Sequence, residues 1–199
     1  MKALITSQFF CSYFYHSALT NWEKAKSTKE SPEKFYYGIT AIVLFQCVLE
    51  SYINFMIYDR GVDTVRIGTR NLMEVSIRQK WLEFPRIVIG ETFHEDEQPF
   101  LDFKELVGLR NKLVHLKTNQ LNIEIPLPKE NMTVGEVRDF ISQPNALSGH
   151  VLMDILPVAI AGKDITIGMI RSLHNMLKSE PPKFLSGNVE ILAMRMIGS

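Results

Sequence analysis

Three polar residues that lie close together in the chain have side chains suited to acting on a phosphodiester: Arg110, Asn111 and His115. A histidine that titrates near ~6.5 can accept or donate a proton at neutral pH. A guanidinium stays charged, and its forked donors match phosphate oxygens. On a helix Asn111 and His115 share a face while Arg110 is turned roughly 100° from Asn111, so the tips converge if the helix ends near His115. The alternative is a surface pair or cations that cap a helix C-terminus.

A second set of polar residues lies in an otherwise apolar segment. Gln46, Glu50 and Asn54 are spaced four apart, so on a helix they form one line of side chains, the polar stripe. Nearly all their neighbours are apolar, which is typical of a buried helix. A buried carboxylate without a partner is costly, so Glu50 should then face a donor. The alternative is that the polar stripe is the narrow solvent face of a central helix.

Helical periodicity dominates the elements that must position these residues. A serine cap and an early proline at Ser31-Pro32 predict a helix start, and Pro85 predicts an end, since the residue before a proline avoids the α region. A Thr-x-x-Glu capping box begins at Thr133. The last long helix is expected to kink at Pro157 or break near Gly162. The predicted helices cover about 5–26, 31–58, 69–83, 98–115, 133–141 and 146–178.

Two other segments are not helical in pattern. The acidic stretch 91–97 is predicted to be a loop, and residues 121–127 alternate as in a strand, with prolines that restrict them to an edge or an extended segment. The predicted fold is therefore a single all-α domain over residues 1–199, an antiparallel helical bundle with a short irregular or extended insertion.

Composition fits a folded domain and gives a neutral total charge. The 199 residues include 22 basic and 22 acidic side chains, with 46% hydrophobic residues. This balance excludes a disordered chain and a salt-driven, non-specific nucleic-acid binder. The charge is unevenly distributed, because residues 104–117 carry four basic residues against one acidic. The sequence therefore permits a small cationic cleft, doubled if the chain is a symmetric dimer.

The sequence predicts no metal site, no cofactor site and no membrane-spanning helix. The histidines and the cysteines Cys11 and Cys47 show no metal-ligand spacing, and the glycines form no phosphate-binding loop. The apolar stretch 39–57 is long enough to span a bilayer, but it carries Glu50 at its centre, where a charge costs at least ~2.5 kcal/mol. We expect a cytoplasmic protein.

The motif and its context resemble the HEPN domain family. Arg110-Asn111-Lys112-Leu113-Val114-His115 resembles the family's Arg-x4-His signature. Upstream, Leu49-Glu50-Ser51-Tyr52-Ile53-Asn54 is similar to the Leu-Glu-x-x-x-Asn pattern of the long HEPN helix, and Lys80-Trp81-Leu82-Glu83-Phe84-Pro85 to the intervening segment. The resemblance covers about 33–117, which leaves about 133–199 as a C-terminal helical extension.

This resemblance implies a dimeric, metal-independent endoribonuclease of toxin–antitoxin or phage-defence type. His115 would be the general base on a ribose 2′-OH, or the acid on the leaving oxygen, with Arg110 stabilising the phosphate and Asn111 orienting either group. Glu50 and Asn54 would hold Arg110 and Asn111 in place. An antitoxin or a nucleotidyltransferase would be the partner, although Lys117 stands where some family toxins carry the tyrosine that such a transferase modifies. The alternative is a non-catalytic module that binds a nucleotide or a protein through the same groove.

Overall fold

The computed structural model describes residues 2–3, 7–29, 31–114, 132–133, 135–136, 148–186 and 196–197. Two 3-10 turns, Leu72–Glu74 and Lys183–Ser186, and four two-residue strands accompany the helices in this part of the chain. Strand β1 (Lys2–Ala3) pairs antiparallel with β4 (Met196–Ile197), and β2 (Arg66–Ile67) pairs antiparallel with β3 (Arg70–Asn71). The helices are α1 (Ser7–Ser27), α2 (Ser31–Asp59), α3 (Ile77–Ile89), α4 (Phe100–Val114) and α5 (Ser148–Met176). The predicted all-α class is confirmed.

Helix α2 is the centre of the bundle, because it packs against all four other helices. Its apolar residues are buried on several faces, including Ile42, Phe45, Leu49 and Ile53, each with 0% of its surface exposed. Burial of one such side chain is worth about 1.5–3 kcal/mol, so α2 supplies a large share of the stability of the core. Within the described residues it is also the one helix long and apolar enough to cross a membrane, and half of the qualifying window is buried inside the fold.

Helices α1 and α2 form the most extensive helix pair, joined by a connection so short that they run antiparallel. Their predicted bounds are confirmed to within a few residues. The C-terminal end of α1 contacts α5, because the indole Nε1 of Trp22 donates a 2.8 Å hydrogen bond to the carbonyl oxygen of Ile160. The ammonium groups of Lys26 and Lys163 lie 3.9 and 5.0 Å from the Trp22 ring centroid. These contacts anchor the end of the hairpin that carries the α1–α2 connection to α5.

The predicted helix 69–83 is wrong in both bounds. Residues 66–71 form a hairpin in which Gly68 has a positive φ of 61°. Helix α3 begins after Ser76, whose Oγ accepts from the backbone N of Gln79 at 3.3 Å while the Gln79 side chain accepts from the Ser76 N–H at 3.3 Å. This Ser-x-x-Gln capping box fixes the helix start and was overlooked in the sequence.

Helix α3 also continues past the proline that was expected to end it. Pro85 removes one backbone hydrogen bond, but the helix buries Trp81 and Phe84 on the same face, each 0% exposed. After Pro85, the partly buried side chains of Ile87 and Val88 also pack against the core, and this apolar burial outweighs the loss. The helix ends instead at Gly90, which adopts a left-handed φ of 76° and donates from its backbone N to the Arg86 carbonyl at 3.0 Å.

Helices α4 and α5 complete the bundle. The predicted loop 91–97 is confirmed, and α4 begins at Phe100, two residues after the predicted start. Helix α5 runs without interruption through Pro157 and Gly162, so the predicted break at Gly162 is wrong. A Cβ atom on Gly162 would stand 2.7 Å from a ring carbon of Phe45, which shows that the glycine permits a close approach of α5 to α2.

The C-terminal end of α5 is fixed to α2 by a buried polar chain. The hydroxyl of Tyr52 is hydrogen-bonded to Nε2 of His174, whose Nδ1 lies 2.8 Å from the Oγ of Ser179. His174 is 6% exposed and Tyr52 is 2% exposed. Burial lowers the pKa of His174, a shift that the Ser179 backbone opposes and the Arg60 charge reinforces.

Two further predictions involve the segment between α4 and α5. The extended segment 121–127 lies outside the described residues, as does most of the helix predicted over 133–141. The capping box at its start is present: the backbone N of Thr133 donates to Glu136 Oε2 at 2.8 Å, and the Glu136 N donates to Thr133 Oγ1 at 3.3 Å. A helix start at Thr133 is therefore supported by its local geometry.

Candidate functional site

The polar stripe of α2 is covered by neighbouring helices. Gln46 is 3% exposed, and Glu50 and Asn54 are partly buried. The α2 helix packs against α3 and α4 as well as α1 and α5. The interpretation of the polar stripe as a narrow solvent face does not hold for Gln46. Buried polar groups need partners, so the groups facing this stripe define the site.

Lys80 is the principal partner of the polar stripe. Its ammonium group donates a 2.8 Å hydrogen bond to Oδ1 of Asn54, and the residue is 5% exposed. Burial lowers the pKa of Lys80, and the negative charge of Glu50 opposes that shift. The Ser76 capping box places Lys80 in the first turn of α3, on the face that also buries Phe84 four residues later. That spacing was the signal in the sequence that could have identified Lys80 as an inward-facing cation.

Glu50 lies between Gln46 and Asn54 in the polar stripe. Its Oε2 accepts a long 3.4 Å hydrogen bond from Nε2 of Gln46, one turn earlier in α2. Burial raises the pKa of the nearby Cys47 thiol; the Glu50 carboxylate adds to that shift and the Arg110 guanidinium opposes it. Glu50 and Arg110 therefore both lie within electrostatic range of Cys47, and the helix that carries Arg110, α4, packs against α2.

Arg110 lies in the last two turns of α4 and is partly buried. Its Nη1 donates a 3.0 Å hydrogen bond to Oδ1 of the exposed Asn111. Its Nε is buried without a hydrogen-bond partner among the described residues. The two ion pairs found in that part of the chain, Arg78–Glu95 and Arg86–Glu83, do not include it. Arg110 is thus a cation with unused donor capacity beside the polar stripe.

The predicted site residues are only partly brought together. Asn54 accepts from Lys80 and Glu50 accepts from Gln46, whereas Arg110 donates to Asn111, so the described hydrogen bonds do not link the polar stripe directly to the motif. His115 lies outside the described residues, immediately after Val114, the last residue of α4. Arg110 lies on a helix that packs against α2, while the place of His115 in the site rests on sequence.

Comparisons of the chain with family models, curated proteins and solved structures found no match. Its chemistry is therefore argued from its own residues. Within the described ranges there is no group of three or more histidine, cysteine, aspartate or glutamate side chains that could hold a metal ion. The donors that contact the polar stripe are instead the Lys80 ammonium group and the Gln46 amide, and the Arg110 guanidinium lies on the adjacent helix α4.

The charge at this site favours an anion. The charged side chains of this site are Lys80, Arg110 and Glu50, which are two cations and one carboxylate in a partly buried environment. Electrostatic attraction is stronger there than in bulk water. By contrast, a cavity of about 170 Å³ lined by Thr92–His94, Glu97–Phe100, Ser172 and Met176 includes none of these residues. It is also smaller than the roughly 300–1,000 Å³ typical of a small-molecule pocket.

Proposed function

We propose that the chain is a HEPN-type endoribonuclease that cleaves RNA without a metal ion, in the cytoplasm and as a dimer. The observation that carries the proposal is Arg110: a partly buried guanidinium with an unpartnered Nε donor among the described residues, on a helix that packs against α2. A phosphate oxygen is the acceptor that such a group binds well. The sequence resemblance supplies His115, five residues later, as the proton-transfer group.

In the proposed reaction the ribose 2′-oxygen attacks the adjacent phosphorus. A bond from O2′ to phosphorus forms, the bond to O5′ breaks, and the 2′-hydroxyl proton passes to a base while the leaving oxygen gains a proton. His115 serves as that base, or as the acid for the leaving oxygen, because an imidazole can do either near neutral pH. Arg110 stabilises the charge that develops on the phosphate, and Asn111 orients the guanidinium through its 3.0 Å hydrogen bond. The products are a 2′,3′-cyclic phosphate and a 5′-hydroxyl.

The test is incubation of purified protein with RNA in chelator, followed by analysis of the new ends. We expect cyclic phosphate ends from the wild type. His115→Ala should lower the rate by about 10²–10⁴-fold, and Arg110→Ala by about 10²–10³-fold. Lys112→Ala removes an exposed positive charge from the same helix and serves as the matched control, so it should retain most of the activity.

Two results would contradict the proposal. Cleavage that persists in both His115→Ala and Arg110→Ala would show that a contaminant or another site does the chemistry. Absence of cleavage by the wild type, together with binding of a nucleotide that Arg110→Ala abolishes, would favour the non-catalytic module instead. Circular dichroism of each variant separates loss of activity from loss of fold.

A further inference from the structure

The hairpin formed by β2 and β3 carries two arginines that the candidate site does not use. Residues 60–89 contain six basic side chains against three acidic ones. Three of the six are occupied within the fold, one by burial and two by ion pairs: Lys80, Arg78 and Arg86. The other three are exposed, and two of them, Arg66 and Arg70, lie on the hairpin. The excess positive charge of this stretch is therefore concentrated at its surface.

The backbone of the hairpin determines where these two guanidinium groups emerge. Arg66 pairs across the strands with Asn71, and Arg70 pairs with Ile67. Successive residues of a strand alternate between its two faces, so Arg66 and Arg70 lie on opposite faces of the hairpin. Ile67 packs against the core and holds the hairpin to the rest of the fold. The hairpin is thus a short, anchored ribbon with one exposed guanidinium on each side.

The acidic residues on either side of the hairpin leave both arginines unpaired. Within the part of the chain that the structure describes, neither guanidinium forms an ion pair. Glu74, which follows the hairpin, is occupied by Asn71, whose backbone N donates to its Oε2 at 3.2 Å. Asp63, which precedes the hairpin, is partly buried. Arg66 and Arg70 therefore present their charge and their donors to solvent.

We propose that the β2–β3 hairpin is an RNA-docking element in which Arg66 and Arg70 bind phosphate oxygens of the RNA backbone. A guanidinium is always charged, and its forked donors match phosphate oxygens. Carboxylates of an acidic protein would match the same fork, but protein interfaces depend on apolar and aromatic anchors. The hairpin offers none, because its one apolar residue, Ile67, already packs against the core. This inference rests on the proposed function in taking RNA as the polyanion.

The experiment measures binding of a fluorescently labelled, single-stranded 2′-O-methyl RNA by anisotropy over a range of salt concentrations. This probe has the phosphates of RNA but no free 2′-hydroxyl, so it is not cleaved. Arg66→Gln and Arg70→Gln should each lower the affinity about fivefold at about 0.1 M salt, and together about 25-fold, because each removes one phosphate contact. The slope of log affinity against log salt should flatten by about 0.7 for each arginine lost. Arg66→Lys with Arg70→Lys keeps both charges and should retain the slope.

Lys29→Gln with Lys34→Gln is the control, since it also removes two positive charges. These lysines lie at the N-terminal end of α2, about 40 Å along the helix from the end that leads into the hairpin. That distance is several Debye lengths, so RNA affinity should stay within about twofold of the wild type. Equal losses in the control and the hairpin variant would overturn the inference, as would a hairpin variant or a wild type that shows no difference from buffer-level binding. Arginine-dependent binding of polyglutamate but not of RNA would overturn it in favour of an acidic protein partner.

Cleavage kinetics with unmodified RNA separate this inference from the proposed function. In the hairpin variants KM should rise while kcat is unchanged, because a phosphate contact far from the reacting bond is equally strong in the ground state and the transition state. RNA binding that depends on Arg66 and Arg70, without cleavage, would reject the proposed function and retain the docking role. Cleavage with an unchanged KM in the hairpin variants would retain the function and reject the docking role.

Discussion

The α-carbon of Gly162 in α5 lies so close to the ring of Phe45 in α2 that a Cβ atom there would be 2.7 Å from Cδ2 and 3.3 Å from Cε2. Phe45 is 0% exposed and also contacts Tyr15 of α1, with ring centroids 6.4 Å apart. Its ring is therefore held from two sides and cannot move away from an added methyl group without disturbing the core.

Gly162→Ala should destabilise the protein although alanine is the better helix former. The propensity gain is about 1 kcal/mol, whereas overpacking a well-packed core costs about 1–3 kcal/mol. We expect a net loss of about 1 kcal/mol in the free energy of unfolding, measured by urea denaturation. Gly108→Ala in the exposed part of α4, where nothing lies within 4 Å, is the control and should stabilise by about 0.5–1 kcal/mol. Equal effects at both glycines would contradict the proposed close packing.

Ser76→Ala should lower the free energy of unfolding by about 1 kcal/mol, because the substitution removes the cap of α3. The Ser76 Oγ accepts from the Gln79 N–H at 3.3 Å, and no side chain would replace it. Ser27→Ala at the end of α1 is the control, since the Ser27 hydroxyl donates back to the carbonyl oxygens of Glu23 and Lys24 in its own helix and its loss should change stability by less than about 0.5 kcal/mol. Chemical denaturation of the three proteins measures the difference.

Stability should fall as the pH is lowered through about 6.5, and His174 should account for part of that fall. Burial, with the Arg60 charge, holds the pKa of His174 below its usual 6.5 in the folded protein. Between the folded and the unfolded pKa the unfolded chain binds more protons, so acidification shifts the equilibrium toward it. Thermal melts from pH 8 to pH 5 should show a smaller loss in His174→Gln than in the wild type. An identical slope in the two proteins would show that His174 is not the titrating group.

The two cysteines should differ in their reactivity toward an alkylating reagent. Burial raises the pKa of Cys11 to about 12, and the residue is 0% exposed, whereas Cys47 is partly exposed. Because the thiolate is the reactive form, Cys11 should react roughly 10³-fold more slowly than an ordinary exposed thiol. Mass spectrometry of the native protein should find label on Cys47 before Cys11. In Cys47→Ser, labelling of the folded protein at a normal rate would contradict the burial of Cys11.

The sequence predicted most of the helical architecture because the signals were local. The Ser31-Pro32 start, the end of α2 after Asp59 and the loop before α4 all follow from caps and turns within a few residues. The errors came where two local signals competed. At α3 the proline suggested an end at residue 83, but the helix continues to Ile89, with Ile87 and Val88 packed against the core, and that packing depends on the whole bundle.

The candidate site was predicted less completely for the same reason. The polar stripe on α2 was evident from its spacing, and so was the need of Glu50 for a donor, since both are properties of a single helix. The sequence did not identify the donors, because Lys80 and Asn54, which are hydrogen-bonded, are 26 positions apart in the chain. A pairing of that kind depends on the angle between α2 and α3, which no pattern within either helix specifies.

The hydrogen bond from Trp22 to the Ile160 carbonyl oxygen makes Trp22 a fluorescence probe of the contact between α1 and α5. The protein has two tryptophans, and they occupy different environments: Trp81 is 0% exposed in the aromatic core, whereas Trp22 sits at the contact of α1 with α5 beneath two lysines. In Trp81→Phe the fluorescence comes from Trp22 alone and reports whether α5 is packed against the α1–α2 hairpin. Detachment of α5 would then be visible as a change in fluorescence separate from the melting of the core.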